Sequence, residues 1–245
     1  MYPPGPVLRF GVLAMSNSVK DGIIVKLDGD EIVVWKREAV VVVIDDNASC
    51  RSGLKDLFES VGLKVKLYES GSAFLEDAIP DATSCLVIDV RLPAKSGLKV
   101  QEELAQADVH VPIVFITGHG DVLMAVCAMK AGAVDFLIKP FRSQDLLDAV
   151  FTALEQDGLR RAAQQVHATL REHFASLSPR EREVVVRVAA GDLNKQIAAK
   201  LGLSEVTVKV HRANAMRKMH ATRLADLVRM LECFNTATTQ GRKTQ

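Results

Sequence analysis

Short apolar runs alternate with longer amphipathic stretches over residues 40–155. The five runs lie at residues 40–44, 65–68, 85–89, 112–116 and 134–138. Apolar residues recur at helical spacing in the stretches between and after them, at residues 49–61, 71–78, 97–106, 121–131 and 143–155. Because a right-handed crossover places each helix over the sheet, this alternation predicts a doubly wound α/β domain at residues 39–156, with a five-stranded parallel sheet.

Four helical stretches follow, at residues 179–190, 194–201, 204–219 and 222–234. Ser178 and Glu181 have the spacing of a capping box, and Gly191 and Gly202 stand where left-handed C-caps would end the first two helices. Ser204 is placed to cap the third helix. The two-residue loop that starts at Gly202 has the spacing of a helix-turn-helix. We expect an all-α four-helix domain at residues 178–236, followed by a flexible tail at residues 237–245.

The pattern in the helix-turn-helix separates packed positions from exposed ones. The positions predicted to pack the helix pair are Ile197, Ala198, Leu201, Leu203, Val206 and Val208. The exposed positions that could reach DNA are Thr207, Lys209, Val210, Arg212 and Ala213. Lysine and arginine near phosphates give salt-dependent affinity, whereas only groups that reach base edges select sequence. A merely solvated basic face is the alternative.

Residues 157–177 predict a helical linker. Its apolar residues recur every three or four positions, at Leu159, Ala163, Val166, Leu170, Phe174 and Leu177. Such a seam either lies on its own domain or forms a short dimeric coil.

Residues 1–38 form an N-terminal extension to which we assign no function. It has three early prolines and a possible β-hairpin around Asp28-Gly29-Asp30-Glu31. A genuine extension and a translated upstream region, with Met15 or a later codon as the natural start, both fit.

Charge is distributed unevenly along the chain. The 245 residues are 48% apolar, which supports well-filled cores, and carry a formal net charge of +1. Residues 178–245 hold 13 Lys and Arg against 6 Asp and Glu, whereas residues 1–177 hold 18 against 24. The C-terminal part therefore carries +7, a surplus typical of a domain that binds the nucleic-acid backbone.

The four cysteines lie far apart, without a C-x-x-C pair or a histidine at metal-ligand spacing, and we interpret them as reduced thiols. No apolar run reaches the roughly 18 to 20 residues of a membrane span. The apolar stretch at residues 7–15 contains Arg9 and is too short for a signal peptide. We expect a cytoplasmic protein that does not associate with membranes.

Polar residues stand at the same end of four of the apolar runs, in the segments VIDD (43–46), VID (87–89), FIT (115–117) and FLIKP (136–140). Parallel strands bring these ends to one edge of the sheet, where doubly wound domains bind ligands. Asp45, Asp46 and Asp89 would form a carboxylate cluster suited to Mg²⁺, beside Thr117 and Lys139. Asp89 is the candidate nucleophile, because a carboxylate can form an acyl phosphate. Aspartates that merely begin turns are the alternative.

Residues 39–156 resemble a response-regulator receiver domain, and the segments ITGHGDV (116–122) and AMKAGAVDF (128–136) resemble the NarL/FixJ class in particular. The resemblance implies a flavodoxin-like fold and the following roles: Asp89 as phosphoacceptor, Asp45 and Asp46 as the acidic pair with Asp46 a direct Mg²⁺ ligand, the Arg91 carbonyl in the metal shell, Thr117 and Phe136 as the switch pair, and Lys139 as the phosphate-sensing lysine. The loop after the acceptor departs from the usual pattern. Ala94 and Lys95 stand there in place of a glycine and an apolar residue.

The C-terminal segment resembles the LuxR-type helix-turn-helix through LSPREREV (177–184), NKQIA (194–198), SEVTVKVHR (204–212) and LADLV (224–228). By that resemblance Lys209 and Val210 face bases. The resemblance also implies backbone contacts from Asn194, Lys195, Lys200 and Thr207.

Together the resemblances imply a two-component transcriptional regulator and not an enzyme. A sensor histidine kinase would phosphorylate Asp89 in the presence of Mg²⁺, and the phosphorylated chain would form a homodimer on double-stranded promoter DNA. Two other interpretations are a phosphate-sink receiver without selective DNA binding and a small-molecule-responsive LuxR-type regulator. The sequence identifies neither the stimulus, the kinase, the operator nor the direction of regulation.

Overall fold

A parallel five-stranded sheet forms the centre of the first of two compact units. The computed structural model describes residues 24–27, 30–33, 39–77, 79–118 and 122–240, with side chains described from residue 39 to residue 232 within those ranges. The units divide between Arg161 and Ala162. The sheet strands are β3 (Val40–Ile44), β4 (Lys64–Tyr68), β5 (Ser84–Asp89), β6 (Ile113–Thr117) and β7 (Asp135–Ile138), in the order β4-β3-β5-β6-β7. This is the predicted doubly wound, flavodoxin-like topology.

The three inner strands are mainly apolar because helices cover both faces of the sheet. Every residue of β3, β5 and β6 is buried. Alternate residues feed two separate cores, so that Val41 and Val43 pack on one face while Val42 and Ile44 pack on the other. The edge strand β4 is partly exposed and carries two lysines.

The helices of this unit are α1 (Ala48–Ser60), α2 (Gly71–Glu76), α3 (Gly97–Gln106), α4 (Val122–Lys130) and the first part of α5 (Ser143–Ala175), which continues past Arg161 into the second unit. Asn47, Ser70 and Ser96 cap the first three through side-chain oxygens that accept backbone N–H groups. The predicted linker is helical, as expected, but no break separates it from the preceding helix. The helix continues through Gly158, although glycine costs about 1 kcal/mol there relative to alanine.

A buried ion cluster fixes α5 to the sheet just after that predicted boundary. The Asp157 carboxylate is fully buried and accepts the backbone N–H of Ser84 at 2.9 Å. It also accepts Nε of Arg161 at 2.8 Å and the guanidinium of Arg160. These bonds neutralise the buried charge and tie the helix to the first residue of β5.

The second unit contains α6 (Pro179–Ala189), α7 (Asn194–Leu201), α8 (Glu205–Lys218) and α9 (Leu224–Gln240). The predicted capping box is present, with Ser178 Oγ accepting the Glu181 N–H and Glu181 accepting the Ser178 N–H. Gly202 ends α7 in the left-handed conformation at φ 65°, and Gly191 follows α6 at φ 85°. The last helix extends beyond the predicted end at residue 234, since neither glycine nor proline interrupts the chain before residue 241.

The end of the predicted linker belongs to the core of this second unit. Leu177 is buried, and Phe174 packs against the same cluster as the helices of the helix-turn-helix. Leu159, near the other end of the seam, is exposed. The C-terminal part of the seam therefore lies on its own unit, which was one of the two alternatives.

The possible hairpin of the N-terminal extension is present as β1 (Ile24–Leu27) and β2 (Asp30–Val33), which pair antiparallel. The early prolines and Met15 lie outside the described residues. None of the helices within the described ranges has the length and apolar character that crossing a membrane requires.

Candidate functional site

Strand register brings two of the predicted aspartates together. Ile44 of β3 pairs with Ile88 of β5, so the next residues, Asp45 and Asp89, lie side by side at the carboxyl end of the sheet. Both carboxylates are buried, and Asp45 is completely so. Two buried carboxylates in contact with nothing else would repel each other and be costly to ionise.

The Lys139 ammonium lies between these two carboxylates. Its Nζ donates to Asp45 Oδ2 at 2.7 Å and to Asp89 Oδ2 at 2.8 Å. Lys139 reaches this position because it follows β7, where Ile138 is in register with Thr117, and its N–H donates to the Thr117 carbonyl at 2.7 Å. The Lys139–Pro140 peptide is cis. The structure thus joins three of the predicted residues in one charged cluster.

Backbone N–H groups hold the other carboxylate oxygens. Asp45 Oδ1 accepts the N–H of Asn47 at 2.8 Å, and Asp89 Oδ1 accepts the N–H of Arg91 at 2.9 Å. The Arg51 guanidinium donates to the Asp45 carbonyl at 2.6 Å. Each carboxylate is therefore oriented by one backbone donor and one ammonium donor.

Pairing determines the charge state of the lysine. Burial lowers the pKa of Lys139, but hydrogen bonds and charge attraction from Asp45 and Asp89 more than offset it and raise the pKa above its ordinary value. The ammonium is protonated throughout the physiological range. The pKa of the Cys50 thiol is also raised, to about 11, by burial and by the neighbouring Asp45, which keeps the thiol protonated.

The predicted switch pair has a buried member and a half-buried one. Thr117 is fully buried at the end of β6. Phe136 of β7 is in register with Phe115, and the two ring centroids lie 6.2 Å apart. Phe136 therefore packs beside the site with one part of its ring accessible.

The outer face of α8 carries several predicted DNA contacts. At about 100° per residue, Ala213 and Arg217 lie within about 20° of the direction of Val206, with Lys209 and Val210 on either side. All five are exposed. The basic and apolar side chains of this stripe form one continuous accessible surface, which we call the outer face.

The prediction that Val206 packs between the helices is wrong, because its side chain is 70% exposed. Val208 is fully buried in the core of the unit, and Ala215, on the same face of α8, is buried in that core too. A residue two positions before Val208 is rotated by about 200° around the helix. Val206 consequently points away from the core.

The remaining predicted DNA contacts are divided between exposed and partnered side chains. Lys195 is exposed at the start of α7. Lys200 Nζ donates to both carboxylate oxygens of Asp192 at 2.8 Å. Arg212 faces α7, where its guanidinium donates to Asn194 Oδ1 at 3.4 Å, and Thr207 bonds the hydroxyl of the capping Ser204 at 2.8 Å.

Two family models match the chain, and together they cover most of it. Residues 41–151 match the response regulator receiver domain, and residues 175–231 match the bacterial regulatory proteins of the luxR family. Nodulation protein W of Bradyrhizobium diazoefficiens is 53% identical over 208 residues, which cover 85% of this chain and 92% of that protein. The chain is a response regulator.

Other response regulators agree with this assignment. Transcriptional regulatory protein FixJ of Rhizobium meliloti is 42% identical over 190 residues, covering 78% of this chain and 93% of that protein. The solved structure of response regulator StyR superimposes with a TM-score of 0.75 at 46% identity, covering 80% of this chain and 98% of that one. The predicted family, fold class and role in transcription regulation are confirmed. The receiver domain implies a histidine kinase partner, and the LuxR-type domain implies DNA binding.

Receiver domains bind Mg²⁺ at their aspartate site as a class, and the donors of this response regulator fit such an ion. Asp46 is exposed, unlike the buried pair, and no group of three metal-ligating side chains is assembled among the described residues. Carboxylate and carbonyl oxygens are nevertheless the hard donors that Mg²⁺ prefers, and this ion usually keeps several waters in place of protein ligands. Two carboxylates and a neighbouring exposed one meet that requirement.

Sequence reasoning missed three residues that shape the receiver site. Asn47 both caps α1 and orients Asp45, a position that its place at the start of a helical stretch could have revealed. Arg51 lies one helical turn further on and gives no local signal of its contact. Gly97 lies behind Asp89, where a Cβ atom would come within 2.5 Å of the Asp89 carbonyl oxygen.

Proposed function

We propose that Asp89 is the residue that accepts a phosphoryl group from the phosphohistidine of a sensor kinase. A carboxylate oxygen of Asp89 forms a bond to phosphorus while the bond between phosphorus and the histidine nitrogen breaks. The electron pair of that bond stays on the imidazole, which takes a proton from water. The product is an acyl phosphate at the carboxyl end of β5. The single observation that carries the proposal is the buried pair of carboxylates bridged by Lys139 at 2.7 and 2.8 Å.

Lys139 is placed to stabilise the charge that the reaction adds. Phosphorylation replaces one negative charge on Asp89 with a group that carries about two. The ammonium already donates to Asp89 Oδ2 and can donate to a phosphoryl oxygen with little movement. Mg²⁺, held by Asp45, Asp46, Asp89 and the Arg91 carbonyl, would supply further positive charge and help to orient the phosphoryl group. Loss of the phosphoryl group by hydrolysis is then a slow self-catalysed event and not a turnover reaction.

Thr117 and Phe136 would transmit the change to the surface. The Thr117 hydroxyl lies on the strand next to Asp89 and would bond a phosphoryl oxygen, and Phe136 would turn further inward beside Phe115. Because β7 is an edge strand, a change there alters an exposed face directly.

That face is apolar and would pair two receivers. Val122 is 78% exposed and shares one stripe of α4 with Val126 and Met129, while Ile138 of β7 is 54% exposed. Exposed apolar side chains that cluster on one side of a domain mark an interaction surface. Two-fold pairing through this face would bring two DNA-binding units together in a homodimer.

The DNA-binding part of the proposal places the outer face of α8 in the major groove. Lys209 and Val210 would contact base edges there. The predicted backbone contacts are Asn194, Lys195, Lys200 and Thr207, of which the two lysines are exposed, and Arg212 is a further predicted DNA contact. Lys200 would have to exchange its bonds with Asp192 for a phosphate.

The experiment is phosphorylation of the purified full-length chain by acetyl phosphate and Mg²⁺. We expect the mass of one phosphoryl group on Asp89, together with dimerisation and tighter binding to promoter DNA. Asp89→Asn should lose all three responses, whereas Asp56→Asn, which changes an exposed carboxylate on α1, should keep them. A wild-type chain that dimerises and binds DNA equally with and without the phosphodonor would overturn the proposal.

The same experiment separates the two other interpretations. A phosphate-sink receiver would accept the phosphoryl group and yet protect no particular DNA sequence. The small-molecule interpretation requires a ligand-binding domain before the helix-turn-helix, and the receiver match over residues 41–151 occupies that part of the chain.

A further inference from the structure

We infer that Val206 is a specificity-determining residue that contacts the C5-methyl group of a thymine in the major groove. The inference rests on the proposed DNA-binding function and extends it to a residue for which the sequence predicted only a packing role. Its starting point is the exposure of this valine, which is 70% accessible and has the same direction as the outer face of α8.

Position along the helix places Val206 where base contacts are made. In a helix-turn-helix, the residues near the N-terminus of the recognition helix contact base edges. Val206 is the second residue of α8, directly after Glu205 and two residues after the capping Ser204. It is one turn before Lys209 and Val210, so a helix that presents those two side chains to bases also presents Val206 to a base further along the groove.

The chemistry of the side chain determines which base edge it can recognise. Valine has neither a hydrogen-bond donor nor an acceptor, so it cannot read the polar groups of guanine, cytosine or adenine. The thymine methyl is the apolar group that the major groove presents, and small apolar side chains contact it. Val206 is also β-branched, which restricts its rotamers in a helix and limits the entropy lost on contact.

The neighbouring side chains leave this valine free to make the contact. Thr207 is occupied by its bond to Ser204, and its direction is about 100° away from that of Val206. Ala213, two turns further along the same stripe, is too short to reach across and compete. Burying the methyl contact is worth about one CH₂ group, which corresponds to about a fourfold change in dissociation constant for each half-site.

The test uses a DNA duplex selected from a randomised library by the full-length chain after treatment with acetyl phosphate and Mg²⁺. Each thymine of the selected duplex is then replaced singly by deoxyuridine, which lacks only the methyl group. Binding of wild type, Val206→Ala and Val210→Ala is measured on the whole series. We expect wild type to lose affinity about fourfold at one thymine per half-site.

The alanine variant at position 206 removes the contact from both half-sites, so it should bind the parent duplex about sixteenfold more weakly and should show no further loss at that thymine. Val210→Ala is the matched control, because it removes the same atoms one turn later. This variant should still lose affinity when the thymine contacted by Val206 is replaced by deoxyuridine. Helical circular dichroism checks that the variants are folded.

Two results would overturn the inference. One is that wild type and Val206→Ala lose the same affinity at each thymine that is replaced by deoxyuridine. The other is that no such replacement weakens the binding of wild type. Failure of the chain to select any sequence would instead overturn the proposed DNA binding, and the role of Val206 with it.

Discussion

Replacing Ala94 by glycine should stabilise the receiver unit, although it removes the side-chain methyl group. Ala94 follows Asp89 by five residues and has φ 62°, in the left-handed region that L-residues with a Cβ avoid. The left-handed conformation costs such a residue roughly 1 to 2 kcal/mol. The receiver pattern has glycine at this position, and this chain departs from it. Ala94 therefore holds a left-handed backbone conformation that favours glycine, the usual residue at this position.

The magnitude follows from two opposing terms. Glycine removes the roughly 1 to 2 kcal/mol of backbone strain, but it adds about 0.4 to 1 kcal/mol of conformational entropy to the unfolded chain. The side chain is exposed, so little apolar burial is lost. We expect a net gain of about 0.5 to 1 kcal/mol. Ala107→Gly is the matched control, because Ala107 is also exposed but has φ −84°, and it should lose up to about 1 kcal/mol.

Native-state hydrogen exchange of peptides from β3 and β5 measures the effect in the full-length chain. Every residue of these strands is buried, and their amides exchange only when the receiver unit opens. Slower exchange in Ala94→Gly together with faster exchange in Ala107→Gly is the expected pair of results. If both variants exchange faster than wild type by a similar factor, the conformation at Ala94 carries no strain and the reasoning is refuted.

Two further predictions concern other contacts of the fold. Gly97→Ala should destabilise the receiver unit by about 1 to 3 kcal/mol, because the added Cβ meets the Asp89 carbonyl oxygen at 2.5 Å. Gly53→Ala in α1 adds a Cβ in open space and should stabilise the unit by about 0.5 to 1 kcal/mol. Urea unfolding measures both changes, and a similar change in the two variants would contradict the prediction. Glu181→Gln should weaken the second unit near neutral pH, because a hydrogen bond from Lys218 and one from the helix N-cap lower the pKa of Glu181. A lowered pKa gives stability that is present above the ordinary value and is lost as pH falls through the folded value. The difference between wild type and the glutamine variant should therefore disappear in acid, and a difference that is independent of pH would count against this ion pair.

Most of the receiver could be predicted from sequence, because the inner strands carry their signal locally. The apolar runs at Val40–Ile44 and Ser84–Asp89 end at the aspartates that the sheet brings together, and parallel register follows from the alternation with helices. The same holds for Lys139 at the end of β7. What the sequence could not supply was the side-chain geometry, such as the rotation that leaves Asp46 exposed beside the buried Asp45.

Contacts between distant segments had no local signal at all. Asp157 reads as an ordinary polar residue of an amphipathic helix, yet it is fully buried and bonds the N–H of Ser84, 73 residues earlier. Val206 stands in a run where valine alternates with other residues, and this pattern does not determine which valine faces the core. Only the angular position around α8 separates it from Val208, since the two differ by about 200°.

The charge balance of the receiver site explains why one lysine can serve both the resting and the phosphorylated protein. In the resting cluster, one ammonium faces two buried carboxylates, so the three groups carry a net charge of −1 and the exposed Asp46 adds another. That excess favours a divalent cation and keeps the lysine protonated, because attraction from both carboxylates outweighs the effect of burial on its pKa. A phosphoryl group on Asp89 adds about one further negative charge at the position that the ammonium already contacts. The lysine thus needs no new charge and little movement to bond the modified side chain, while its hydrogen bond to Asp45 must weaken. Redistribution of these hydrogen bonds begins at the residue that follows β7, the strand whose exposed side we propose as the pairing face.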